Sequence, residues 1–547
     1  MMRRLAGCRS RRALPRARGG QATGERVRRG QPAPRVHAGK MSTRPDRIPA
    51  SLADVERWLR ENLGSPPDLV IRTLPGGSGG GGAVLITYLA SLVPKELVAT
   101  AVVKPLLAGG TGEDARPRGL VGRGGKLPLL PVGTGDVREA SDGAEVLEEI
   151  CRGRTAVFAE GAGTALLADT SGPRGRAVEE PTLEGTLRGP HDGFTENLDN
   201  NLAQIRRRLA HPSLRIALLR VGDLSRTRVA VTYLDGLARP DIVGEVMTRL
   251  GKITLDGVVD TAYLEEHMVG TRLAVFPLAL VTERPDRVVG NLLEGRLAVL
   301  ADGTPAALVL PVTVSIMLQS ADDYYLPPPV ASLARILRFT GLLMTVLLPA
   351  LYVALTAFHH ELIPTTFFFR VAAGREGIPV STLGEALLMG VAFELLREAG
   401  SRLPRQVGQA VSVVGAIVVG EAAIRASIIS PLMLIVLSVT AITSFLVPFY
   451  TGGASLWVPR FAFTLLAGMF GLIGIGWGMM VGLYYLSPLR PLDTPYLAPI
   501  GPVIASDLKD FLTRVSWRGM ARRPSEPGAR RRFRKPPPGR GRPRRGR

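Results

Sequence analysis

Residues 339–358, FTGLLMTVLLPALYVALTAF, decide the fold, because they run for twenty residues without a charged side chain. A helix of that length is about 30 Å long, the thickness of a bilayer's hydrocarbon core. Residues 431–450 and 461–486 are equally free of charge. All three are expected to span. A fourth span, residues 407–430, carries Glu421 and Arg425. A fifth apolar stretch, 381–396, holds Glu385 and Glu394 and runs into Arg397 and Glu398, which is too charged to face lipid. The pattern predicts four full crossings and one re-entrant or interfacial segment.

Upstream, the pattern changes. Ser51 and Asp54 have capping-box spacing, and Leu52, Val55, Leu59 and Leu63 follow at helical intervals until Gly64 and Pro66-Pro67. Short apolar runs then alternate with amphipathic ones to about residue 312, which predicts mixed α/β structure. Residues 154–158 and 164–168 flank Glu160-Gly161-Ala162-Gly163, a hairpin signal, as residues 297–300 and 306–310 flank Asp302-Gly303-Thr304-Pro305. Further strands are expected at 214–221 and 228–233, and a helix at 241–250. The fold class is an α/β soluble N-terminal region of two subdomains followed by an α-helical polytopic transmembrane domain. The expected division is a basic disordered leader at 1–48, soluble subdomains at 49–135 and 136–330, a transmembrane domain at 331–490 and a basic Arg/Pro-rich tail at 491–547. A Gly, Pro and Arg-rich stretch before residue 135 marks the break between the soluble subdomains.

The chain of 547 residues has a net charge of +21, which invites a nucleic-acid reading. That charge sits at the ends: residues 1–47 carry 14 basic against 2 acidic side chains and residues 514–547 carry 14 against 1. What lies between is close to neutral, so no nucleic-acid partner is expected. Arg514, Arg518, Arg522 and Arg523 follow the last span and place that end in the cytoplasm by the positive-inside bias. A soluble region of some 300 residues without a signal peptide stays on the same side, which favours an even number of crossings. Two cysteines, Cys8 and Cys151, exclude a disulfide framework or a Cys-based metal site.

Few residues bear chemistry. Residues 119–126 are glycine-rich with a lysine, but they fail the phosphate-loop spacing and lack its Ser/Thr. With six histidines and no nucleophile triad or zincin helix, no enzyme, cofactor or metal is expected. Glu421 and Arg425 lie four apart and share a helix face at a depth where unpaired charge is costly. Either they line an aqueous path or they form an internal ion pair that fixes packing. Ser412, Gly415, Ala416, Gly420 and Ala423 on that segment admit water or a close helix. Glu394 is a candidate for a hydrated site, whereas Thr382 and Glu385 fit a capping box and give Glu385 a structural role. Candidate pore-lining residues are therefore Ser412, Gly415, Ala416, Gly420, Glu421, Arg425 and Glu394. Gly474, Gly478 and Gly482 form a small-residue row expected to pack a helix.

Several phrases together carry a resemblance. Glu179-Glu180-Pro181, Arg188-Gly189-Pro190 and Gly193-Phe194-Thr195-Glu196-Asn197 are followed by Thr282-Glu283-Arg284-Pro285-Asp286-Arg287, Leu293-Glu294-Gly295-Arg296 and Asp302-Gly303-Thr304-Pro305. Leu348-Pro349-Ala350-Leu351-Tyr352, Arg397-Glu398-Ala399-Gly400, Leu403-Pro404 and Gly408-Gln409-Ala410-Val411-Ser412 follow in the apolar half. In this order, from about Leu85 to Pro502, they resemble the A subunits of spore germination receptors of the GerA family. The resemblance implies a subunit of the spore inner membrane, multi-pass, that works with a nutrient-binding B subunit and a lipoprotein C subunit. It further implies homo-oligomerisation in the lipid bilayer into a ring that conducts ions when nutrient is sensed. The family also includes a stage V sporulation relative that accompanies dipicolinic acid release. A secondary transporter using Glu421 or Glu394 is the reading from another class, and the chain lacks the internal symmetry such transporters show.

Overall fold

The structure is a computed structural model, and it describes residues 47–75, 83–108, 136–172, 180–181, 184–186, 188–269, 274–402, 420–448 and 455–534. Two five-stranded antiparallel sheets form the N-terminal region. The first takes β1 (Leu69–Leu74), β2 (Val84–Leu89), β3 (Val137–Ala140), β4 (Arg154–Ala159) and β5 (Ala165–Asp169) in the order β1-β2-β4-β5-β3. Helices α1 (Leu52–Leu63) and α2 (Gly143–Cys151) close its core with Leu59, Ile150 and Cys151. The β4–β5 turn reaches back to α1: Glu160 accepts from the Leu52 amide at 3.1 Å, and Gly161 donates to the Ala50 carbonyl at 2.8 Å. Ser51 precedes α1 but makes no side-chain cap, so the acidic partner for this helix start comes from the hairpin and not from a capping box.

In the second sheet the order is β6-β7-β9-β10-β8, with β6 Leu214–Val221, β7 Thr227–Leu234, β8 Leu280–Thr282, β9 Leu297–Ala301 and β10 Ala307–Leu310. Helices α3 (Leu198–Arg208), α4 (Pro240–Gly251), α5 (Thr261–Val269) and α6 (Pro285–Leu292) cover it on both faces. Successive side chains of a strand point to opposite faces. Ala298 and Leu300 of β9 accordingly join α3 and α6 in one core, while Leu297, Val299 and Ala301 join α4 and α5 in the other. A strand buried on both faces reads as a continuous apolar run, and LAVLA does.

The subdomain boundary expected at residue 135 is corrected by the sheet pairing. Strands β3, β4 and β5 lie beyond it yet pair with β1 and β2, so the sheets divide between Asp169 and Leu214. The expected Gly/Pro/Arg-rich break at 109–135 lies outside the described residues. One buried ion pair ties the units together: Arg206 of α3 grips Asp68 with Nε–Oδ2 at 2.8 Å and Nη2–Oδ1 at 2.9 Å, and Ser91 donates to the same carboxylate.

Beyond residue 327 the chain is helical. Helix α7 (Pro328–Ala357) contains the expected apolar run and extends eleven residues before it. Helices α8 (Thr365–Ala373), α9 (Thr382–Arg402), α10 (Pro431–Ser444) and α11 (Trp457–Leu486) follow. Of these, α7 and α11 have the length and apolar composition of a membrane-crossing helix. Several span expectations change here. Stretch 381–396 is part of a continuous 21-residue helix, α9, whose acids are turned to partners inside the bundle. Stretch 431–450 forms a helix of only 14 residues, about 21 Å long. Most of the expected 407–430 span lies outside the described residues; 420–425 is helical and Ser427 turns at φ 51°.

Stretch 461–486 does not make one straight rod. Gly471, at φ 62° and ψ −140°, folds α11 sharply. Residues 466 and 474 would be about 12 Å apart along a straight helix. Instead a Cβ on Gly474 would meet the Leu466 carbonyl oxygen at 2.1 Å, and one on Gly478 would meet the Phe463 ring at 2.7 Å. The first arm runs outward along α7, with Ala467 beside Ala350 and Ala354, and the fold at Gly471 lies against Phe358 and His359. The second arm returns until the Tyr485 hydroxyl accepts from the Val275 amide at 3.0 Å.

The basic Arg/Pro-rich tail expected at 491–547 packs onto the second sheet as far as residue 534. Leu492, Tyr496 and Ala529 are buried in the cores of the second sheet. Arg534 pairs with Glu294 at 2.9 Å, and the Arg530 amide donates to the Leu237 carbonyl at 3.0 Å. Apolar side chains spaced among the arginines seat a segment whose composition reads as solvated.

Breaking a buried ion pair from one side leaves an uncompensated charge and costs about 3–5 kcal/mol, whereas an apolar replacement of both partners is close to neutral. In the full chain in detergent, Arg206→Met is therefore expected to lower the thermal unfolding midpoint by several degrees. Asp68→Leu combined with it is expected to restore most of the loss, as differential scanning fluorimetry would show.

Candidate functional site at the foot of the first long helix

Pro328 and the proline before it start α7, and its first three turns carry Ser332, Arg335 and Arg338. Arginines three apart on a helix share a face. Both point at Asp323, whose carboxylate has no solvent exposure: Arg335 Nε donates at 2.9 Å, and Arg338 Nη1 reaches its two oxygens at 2.7 and 2.8 Å. Ser320 and Asp323 form a reciprocal capping box over the short helix Ala321–Tyr324 and fix the carboxylate in place. The other end of Arg335 pairs with Asp510 at 2.9 Å and donates to its carbonyl at 2.7 Å. Burial holds the Asp510 carboxyl above its ordinary range although Arg335 pulls the other way. Gln319 also donates to the Asp510 carbonyl at 2.9 Å.

The same corner continues into the second sheet. Tyr325 donates to Asp286 at 2.6 Å, and Arg284, 2% exposed, holds Asp286 with two bonds at 3.1 and 2.8 Å. Burial pushes the Asp286 carboxyl up, but Arg284 and Tyr325 outweigh it and leave it below its ordinary range. Burial and the bond to Asp286 push the Tyr325 hydroxyl up, so it stays a donor at neutral pH. Arg287 bridges Glu184, at 2.7 Å, to the Gln319 carbonyl, at 3.0 Å. Gly189, at φ 117°, lies so close to the Tyr325 ring that a Cβ would sit 2.7 Å from it. The phrases Arg188-Gly189-Pro190 and Thr282-Glu283-Arg284-Pro285-Asp286-Arg287, separated by some ninety residues of sequence, thus meet at one corner beneath α7.

Higher in the bundle, the charged candidates also find partners. Glu385 is fully buried, accepts from the Ser430 hydroxyl at 3.0 Å and pairs with Arg375 at 3.0 Å. The expected capping box with Thr382 does not form; Ser381 receives the Gly384 amide instead. On the opposite face of α9, Glu394 is held by Arg460 of α11 and by Arg397 at 2.5 Å. Only 18% of the Glu394 side chain is exposed, so in this conformation it is bound in an ion pair and does not face an open path. Glu421 and Arg425 pair with each other at 2.5 Å on the outside of the single chain, and Gly420 is buried against Leu434. Ser412, Gly415 and Ala416 lie outside the described residues. Gly474 and Gly478 face the first arm of their own helix, while Gly482 has open space beside it.

Sequence reading passed over Arg335, Arg338, Asp323 and Asp510. The signal was there in two arginines set three apart just before an uncharged run, with Asp322-Asp323 upstream. Among the described residues no three His, Cys, Asp or Glu side chains gather as a metal site would require. This corner is built to hold elements together, and its groups are coupled by hydrogen bonds and charge across three parts of the chain.

Arg335 keeps Asp510 if Asp323 is lost, but Arg338 keeps nothing of comparable geometry. Asp323→Ala is expected to destabilise the full chain by about 3 kcal/mol, and Arg338→Gln by clearly less, because Arg335 still covers the carboxylate. Denaturant unfolding in detergent, followed by tryptophan fluorescence, checks the order.

Comparison with known proteins places this architecture. Residues 57–526 match the sequence profile of the Bacillus/Clostridium GerA spore germination protein family. The chain is 36% identical to spore germination protein KA of Bacillus subtilis over 481 residues, 88% of this chain and 87% of that one. It is 33% identical to spore germination protein GerLA of Bacillus cereus, covering 86% and 94%, and 36% identical to the membrane protein YfkQ of Bacillus subtilis, covering 84% and 87%. Among solved structures, the N-terminal domain of the A subunit of the Bacillus megaterium spore germinant receptor GerK3 aligns with 49% of this chain and 96% of its own, at 24% identity and a TM-score of 0.36. With the profile matched over most of the chain and relatives above 30% identity along nearly all of it, this chain belongs to the GerA family of spore germination proteins.

Proposed function

We propose that this chain is the A subunit of a nutrient-triggered spore germination receptor, and that its helical region lies in the spore inner membrane and forms, as an oligomer, the ion-conducting part of the complex. In this reading a B subunit binds nutrient and a lipoprotein C subunit completes the assembly. The observation that carries it is the ion-pair corner at Asp323. A partner can open a pore only through contacts that differ between closed and open states. A corner that fastens the first long helix to the second sheet gives such a change a route.

The ends of the bundle support an even number of crossings. Helix α7 begins at the second sheet, and the second arm of α11 ends at it, with Leu489 in its core. Helix α9 runs back toward that side, since Leu383 meets Gly468 and Gly390 meets Phe461 along the outward first arm of α11. The re-entrant element is then assigned to the fold at Gly471. With arginines concentrated after α11, the sheets and the C-terminal segment belong on the cytoplasmic side. Ser412, Gly415, Ala416, Gly420, Glu421 and Arg425 line the pathway, with the exposed Glu421–Arg425 pair turned to water or a neighbouring copy when the ring forms. Glu394 joins them only where the open state releases Arg460.

Reconstituted A, B and C subunits in planar bilayers are expected to pass current when nutrient is added. Gly415→Leu and Glu421→Gln should each change single-channel conductance by at least about twofold with subunit assembly intact. An assembled complex that binds nutrient and stays electrically silent would refute the channel reading, and unchanged conductance in both variants would remove this segment from the pathway.

A further inference from the structure

The C-terminal segment 500–522 carries an apolar surface that the other described residues leave exposed. Val503 is 74% exposed and Trp517 51%, and Ile500, Leu508 and Leu512 are exposed beside them. Lys509, Arg518 and Arg522 are exposed among these side chains. Exposed apolar residues interleaved with basic ones match the boundary between lipid headgroups and acyl chains.

The height of the segment is set by its contacts with α7. The Arg514 amide donates to the Ser332 hydroxyl at 2.9 Å, and the Phe511 ring packs edge-on against Phe339, 6.1 Å between centroids. Phe339 is the first residue of the uncharged run. Ser332 lies about 10 Å below it along the helix axis, so the segment occupies the depth of one headgroup layer. Arg514, 6% exposed, lies over both Tyr324 and Trp517 and keeps the segment at that level. Residues 500–522 carry Lys509, Arg514, Arg518 and Arg522 against Asp507 and Asp510, and Asp510 is already paired with Arg335, so the charge left on the outer face complements an anionic surface.

We infer that the outer face of residues 500–522 docks onto the anionic headgroups of the membrane that holds α7, with Leu508, Leu512 and Trp517 at the acyl boundary and Lys509, Arg518 and Arg522 on the phosphates. The inference rests on the membrane reading of the helical region. Because the segment also bonds Arg335 through Asp510, lipid charge then bears on the corner that fastens α7 to the second sheet.

The test places the full chain in nanodiscs of phosphatidylcholine alone or with about a third phosphatidylglycerol and follows amide hydrogen exchange. One basic residue near an anionic surface is worth about fivefold. Residues 500–522 are expected to exchange at least about fivefold more slowly in the anionic discs. The triple variant Lys509→Gln, Arg518→Gln, Arg522→Gln should lose that difference while exchange in β9 stays as in the parent. Equal exchange in both discs would overturn the inference. So would protection in both discs that persists in the triple variant, the mark of a protein-covered face. A chain that stays monomeric in buffer without lipid or detergent would instead overturn the membrane reading itself.

Discussion

Burying a carboxylate completely costs several kcal/mol unless cations close on it, and the packing of this protein turns on one that does. Asp323 is buried under Arg335 and Arg338, which α7 presents together on one face because the helix begins ahead of them at Pro328. The eleven helical residues beneath the apolar run thus carry the two arginines that hold this carboxylate. The same arginine holds Asp510, so a segment nearly two hundred residues further on must return to this point. One unit of three side chains closes the chain into a loop, from sheet to bundle and back.

What composition and periodicity could show was the architecture. β9, β10 and the β4–β5 hairpin stand within a residue or two of their expected positions because short apolar runs and Gly-containing turns are local properties. Sheet membership is not local. Nothing in the sequence of β3, β4 and β5 says that they pair with β1 and β2 across a Gly/Pro-rich stretch. A break in composition was therefore read as a break in the fold. The packing of 491–534 is non-local in the same way: its arginine content gives no sign that Leu492, Tyr496 and Ala529 enter the cores of the second sheet.

The apolar half separates length from path. An uncharged run of 26 residues reads as one crossing, and only the backbone of Gly471 reveals that it folds. Glycines at 474 and 478, expected to admit another helix, admit the preceding arm of their own. Their small size was legible; their partner was not. Of the charged candidates, Glu385 and Glu394 sit on opposite faces of α9, as nine residues at 100° each require. Each meets an arginine from elsewhere in the bundle.

These pairs bear on how such a bundle moves. Arg375, Arg397 and Arg460 each neutralise an acid within or beside α9, so the helix carries little net charge in the arrangement seen. Sliding α9 against α11 would separate Glu394 from Arg460, and in a low-dielectric interior that separation costs several kcal/mol unless water enters to replace it. Separation of this pair and hydration of the region around it are therefore coupled. The soluble sheets meet the bundle at α7 and at the end of α11, whereas α9 meets them only by way of its neighbours. The corner at Asp323 is the one of these two junctions that is fastened by buried charge.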